Sequence, residues 1–101
     1  AMPQFYRGRA IVEEALRMQI EAEPEDLVMR AKVLDSLAEC YLVVKDYADA
    51  AKHYDEAYRL MLQTVGRNSP LFGKQARHSA NLLIAQEKHA QALPFLAESL
   101  A

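Results

Sequence analysis

Apolar residues in this chain recur at intervals of three and four, the spacing that gathers them on one face of a helix. Leu34, Leu37, Ala38 and Tyr41 form one such stripe. Tyr47, Ala50, Ala51, Tyr54, Ala57 and Tyr58 form a second. The two fall out of register at "VVKDY", where Lys45 can end one helix and Asp46 can cap the next. Pro24 within "EAEPED" and the stretch "VGRNSP" at 65–70 are the clearest breaks. Ser69 before Pro70 makes a good helix start, because a hydroxyl can accept from free N–H groups and proline's fixed φ suits the first turn. No polar–apolar alternation of the strand type occurs between turn residues. The pattern predicts an all-α chain with helices over 3–22, 26–44, 46–65, 69–86 and 89–100.

The stretch "KDYADAAKHYDEAY" puts four alanines and three tyrosines into fourteen positions. Such mixing of the smallest and largest side chains fits a helix squeezed against close neighbours, or a cluster gathered for chemistry. An internal repeat bears on the choice. Shifting the chain by 42 residues lays Ala38 on Ala80, Ala48 on Ala90, Ala50 on Ala92 and Glu56 on Glu98. The same shift backwards lays Ala57 on Ala15, Arg59 on Arg17 and Tyr47 on Phe5. Side-chain size and polarity persist where identity does not. The single domain over 1–101 then divides into a partial unit, whose second helix is 3–22, and two full helix pairs over 26–65 and 69–101.

"VLDSLAECYLVVKDYADAAKHYDEAY" resembles a tetratricopeptide repeat, with Leu37-Ala38, Tyr41, Tyr47, Ala50, Tyr54 and Ala57 at that family's spacing. The family's usual unit is about 34 residues. A 42-residue unit is similar to the longer repeats of kinesin light chain, with about one turn added to each helix. Where the family sets a glycine between its helices A and B, this chain has Lys45 and Glu87. The resemblance implies a right-handed α-solenoid of antiparallel helix pairs. Ala50 and Ala57 would let helix B approach helix A, with Tyr47 and Tyr54 filling the space beside them. On this reading the tyrosines are architecture.

Composition narrows the function. The chain has 101 residues, half of them hydrophobic, and a net charge of −2, so it carries no cationic excess for a nucleic-acid backbone. No apolar run reaches the length of a bilayer span, and "AMPQFYRGRA" has no signal-peptide pattern. Ala1-Met2 reads as a tag remnant on a fragment. Cys40 is the lone cysteine, which excludes an internal disulfide and points to a reducing, cytoplasmic setting. His53, His78 and His89 fall on three different helices without partners at metal-ligand spacing. Gly8, Gly66 and Gly73 form no phosphate loop. Cys40 reads as a small buried hydrophobe and "EAEPED" as a solvated loop. No catalysis, metal or cofactor is expected.

Function is left to the surface, as a scaffold or adaptor. In the family the concave face, lined by A helices, generally holds an extended peptide or a partner helix. Here those helices supply Lys32, Asp35, Ser36 and Glu39, then Lys74, Arg77, His78 and Asn81. Arg77 and Asn81 match the Lys and Asn positions with which related chaperone adaptors clamp a peptide's terminal carboxylate. Asp35 and Glu39 stand at the corresponding positions of the preceding unit and would repel one. The expectation is a mixed partner-binding groove that includes Lys32: Lys74, Arg77 and Asn81 take an acidic or polar part of a protein partner, Asp35 and Glu39 a basic part. The alternative is self-association through the last helix, where Leu93, Phe95, Leu96 and Leu100 have no following helix to cover them and Pro94 should introduce a bend.

Overall fold

A computed structural model describes the backbone of residues 4–100 and the side chains of residues 8–99. Five helices make up the described chain: α1 (Gln4–Ala22), α2 (Leu27–Val43), α3 (Tyr47–Thr64), α4 (Pro70–Ala85) and α5 (His89–Leu100). Residue 3, where the pattern starts its first helix, and residue 101 lie outside the described residues, as do the side chains of Phe5 and Leu100. Each start has its chemistry. Asp26 accepts from the Met29 N–H at 3.0 Å, Asp46 from the Asp49 N–H, and Ser69 from the Leu71 N–H at 3.2 Å. Each satisfies a donor that the first turn leaves without a carbonyl. Pro70 occupies the first turn of α4, as expected. Pro94 lies inside α5, which stays helical on both sides of it.

The connections are short, so every helix runs back along the one before it. Ala31 and Leu34 near the start of α2 share a core cluster with Ala57 and Met61 near the end of α3, together with Phe72 of α4. At the other end Ala38 of α2 meets Ala50 and Tyr54 of α3 and Leu82 of α4. Ala31, Ala38, Ala50, Ala57, Ala76 and Ala80 are completely buried, which lets the backbones close in. Side-chain contacts also skip one helix. Tyr58 of α3 meets the Phe95 ring of α5 edge-on at 5.5 Å and donates to Glu98 at 2.9 Å, while Gln75 of α4 reaches Asp35 of α2. The Cα envelope is only 16 Å thick, which fits two layers of helices, α2 beside α4 and α3 beside α5. Gly73 of α4 faces the α5 backbone, where a Cβ would stand in ordinary contact, 3.4 Å from the Ser99 carbonyl. At the α1–α2 corner, Gln19 Nε2 donates to the carbonyls of Glu23 and Asp26 at 2.7 and 2.9 Å.

The repeat is written in the backbone. After α2, the N–H of Lys45 bonds to the Leu42 carbonyl and that of Asp46 to the Tyr41 carbonyl. After α4, Glu87 bonds to Ile84 and Lys88 to Leu83, the same pattern 42 residues on. Both turns place a non-glycine residue in the left-handed region, Lys45 at φ 64° and Glu87 at φ 61°. These are the two positions where the resemblance expects glycine. A Cβ in that region costs about 1–2 kcal/mol, offset in part by glycine's freedom in the unfolded chain. Both side chains are exposed, so their removal forfeits no packing. Lys45→Gly and Glu87→Gly should each raise stability by about 0.5–1 kcal/mol in denaturant melts. A loss at both positions would mean that the turns relax differently in solution.

Candidate functional site

The exposed faces of α2 and α4 border a groove of about 930 Å³. All six charged or amide residues singled out by helical spacing line it: Lys32, Asp35 and Glu39 on α2, and Lys74, Arg77 and Asn81 on α4. Ser36 and His78, on the same faces, line it as well. They converge because α2 and α4 lie in one layer and steps of three and four point one way. Leu42, Tyr54, Met61 and Leu71 add apolar surface. Lys32, Glu39, Lys74 and Arg77 are exposed and have no ion-pair or side-chain hydrogen-bond partner among the described residues. Three unpaired cations thus face one unpaired carboxylate.

Asp35 lines the groove and is also bonded across its wall. Its side chain is largely buried, and Gln75 Nε2 donates to Oδ1 at 2.5 Å across the two helices. His78 Nδ1 lies 3.4 Å from Oδ2 and is itself buried without a hydrogen bond. Asp35 therefore belongs to the wall between α2 and α4, where it organises other side chains. Tyr54 packs beneath, its ring 5.8 Å from that of His78. Burial, followed by the charges of Glu39 and Asp35, pushes the Tyr54 phenol up to about 12, so it stays neutral in ordinary buffers. Gln75, only 1% exposed, is the groove residue that sequence reasoning missed. A glutamine in a polar helical stretch reads as solvated, and nothing in its spacing reveals a carboxylate forty residues away.

The remaining chemical candidates stay apart. His53 stacks on Tyr41 at 5.4 Å with Nδ1 on the Asp49 carbonyl at 2.7 Å, and His89 is exposed at the start of α5. Among the described residues no group of three or more His, Cys, Asp or Glu side chains could hold a metal ion. Cys40 is half-buried rather than fully buried, and burial together with the charge of Glu39 pushes its thiol up, away from a reactive thiolate. Of the apolar residues named on the last helix, Leu93 remains 64% exposed. Phe95 and Leu96 are partly buried, Phe95 against Tyr58. From the α3–α4 connection, Arg67 pairs with Glu98 of α5, whose carboxylate accepts from the Tyr58 hydroxyl. No described helix is long and apolar enough to cross a membrane.

No protein-family model and no curated protein matches this chain.

Proposed function

We propose that this chain is a non-catalytic interaction module, a two-and-a-half-unit slice of a tetratricopeptide-type right-handed solenoid, and that the α2–α4 groove holds a segment of a protein partner. The observation that carries this reading is the convergence of Lys32, Lys74 and Arg77, unpaired and exposed, on one groove with an apolar floor. The partner segment is acidic, with apolar side chains to meet Leu42 toward one end of the groove and Leu71 toward the other. Asn81 can donate to and accept from an extended backbone. Glu39 remains for a basic or N–H group of the partner. Asp35 acts through Gln75 and His78 rather than as a ligand. Exposed charges orient and speed association more than they tighten it, so binding should fall as salt rises. Fluorescence anisotropy with a blocked aspartate-rich peptide carrying a leucine toward each end tests the groove. Binding that weakens with salt supports it, and equal binding of a lysine-rich counterpart overturns it.

A second reading is favoured by the apolar residues left open on the outer helices, Ile11 and Met18 on α1 and Leu93 on α5, each more than half exposed. These could join copies of the chain, or further helices of a longer one. Light scattering across a concentration series separates the cases, and a monomer at every concentration removes self-association.

A further inference from the structure

Three helices, α1, α3 and α5, hold matching places in the 42-residue repeat. The step lays Ala15 on Ala57 and Ser99, Gly8 on Ala50 and Ala92, and Ile11 on His53 and Phe95. In α3 these positions face α2. Ala57 shares a cluster with Ala31, Ala50 shares one with Ala38, and His53 stacks on Tyr41. In α5 the same place faces α4, with the Ser99 backbone against Gly73 and Ala92 buried. The contacts repeat in pairs, since Gly73 follows Ala31 by the same 42 residues that separate Ser99 from Ala57. On α1 this surface is open. Ala15 is exposed where Ala57 is completely buried, and Ile11 and Met18 are more than half exposed. A Cβ on Gly8 would meet nothing within 4 Å.

We infer that the open face of α1 docks an amphipathic helix of another polypeptide, laid antiparallel as α2 lies on α3. This rests on the second reading above and narrows it, for α1, to one occupant. The two interfaces already built in this molecule specify that helix. Ala31 and Ala38 on α2, and Gly73 and Ala80 on α4, are spaced by two turns and so return to one side. Gly8 and Ala15 on α1 have the same spacing. Small residues on both partners let the backbones close in, while larger apolar neighbours such as Ile11 and Met18 fill the space beside them. The docked helix therefore carries two small residues at that spacing within an apolar stripe.

Charge sets its direction. An antiparallel helix starts where α1 ends, beside Glu21 and, just beyond α1, Glu23 and Glu25. All three are exposed and have no ion-pair partner among the described residues. Basic residues in the first turns of the incoming helix would meet them, as Arg30 and Lys32 stand early in α2. A second copy of α1 offers less, because its described arginines Arg9 and Arg17 are already paired with Glu13 and Glu14.

The probe is a blocked, labelled peptide of residues 26–44 of this chain, which carries Ala31, Ala38, Arg30 and Lys32 in the required order. Anisotropy in reducing buffer should show saturable binding that weakens with salt, and circular dichroism should show helix gained on mixing. Ala15→Lys fills the place of a small residue and should weaken binding at least about tenfold. Its melt should match the parent's, because Ala15 is exposed. A peptide with leucine in place of both Ala31 and Ala38 should not bind. Arg77→Glu should bind the peptide as the parent does, which separates this face from the groove. No binding, or binding that ignores Ala15→Lys because the peptide displaces the resident α2, overturns the inference. Light scattering that shows a dimer lost in Ala15→Lys also overturns it, in favour of a second copy. A monomeric parent that binds the peptide through Ala15 supports it.

Discussion

Ala38→Leu and Ala50→Leu should each lower stability by about 1–3 kcal/mol, and Ala48→Leu should leave it nearly unchanged. Ala38 and Ala50 are both completely buried and face each other between α2 and α3, with Tyr54 and Leu82 closing the space beside them. With both sites fully buried, three further carbon atoms should push the helices apart or drive the aromatic ring from its rotamer. Ala48 is exposed in the first turn of α3, where a leucine meets water. Thermal and urea melts of the three variants decide the matter. A larger loss from Ala48→Leu than from the other two would overturn the packing of α3 on α2. The repeat supplies an internal replica, since Ala80 and Ala92 are buried at the matching positions and Ala90 is exposed.

Arg77→Glu should weaken binding of an acidic peptide by at least about tenfold and leave the melt unchanged. The substitution places a carboxylate where a guanidinium could hold one with two parallel hydrogen bonds, so attraction is replaced by repulsion. The fold should not register it, because Arg77 is exposed and pairs with no acid among the described residues. Lys32→Glu should act in the same direction. The expected loss shrinks at high salt, where charges more than about 3–10 Å apart no longer sense each other. If Arg77→Glu bound as the parent does, and a change at Leu93 or Leu96 removed binding, the working surface would be the open face of α5.

The helix ends were readable because their chemistry is local. Asp46 and Ser69 cap with their own side chains over two or three residues, and Pro70 needs only its own ring. The buried faces were readable for a related reason. Leu34, Leu37, Ala38, Ala50, Tyr54 and Ala57 follow the helical period, and that period alone decides which side meets a neighbour. The faces that border the groove were equally legible, since Lys74, Arg77 and Asn81 share a face wherever the helix is placed. What joins them was not. The hydrogen bond from Gln75 to Asp35 depends on how far α4 slides along α2, and the Tyr58–Glu98 bond on how α5 settles beside α3. Both offsets are set by the side chains of the intervening helix, not by either partner. So Asp35 looked like a ligand for a basic group, and its bond from Gln75 of α4 was not visible.

The thin contact between α2 and α4 bears on how the molecule comes apart. Nearly all its packing joins helices adjacent in the chain, so the described helices form a string of contacts, each held mainly by the next. In such a string one joint can open while the others remain closed. A partner lying along the groove would grip the second helix and the fourth at once and close a ring through α3. Opening either joint within that ring would then require releasing the partner. An occupied molecule should therefore unfold as one body where the empty one can fray joint by joint, and ligand binding would change the sharpness of the transition as well as its midpoint.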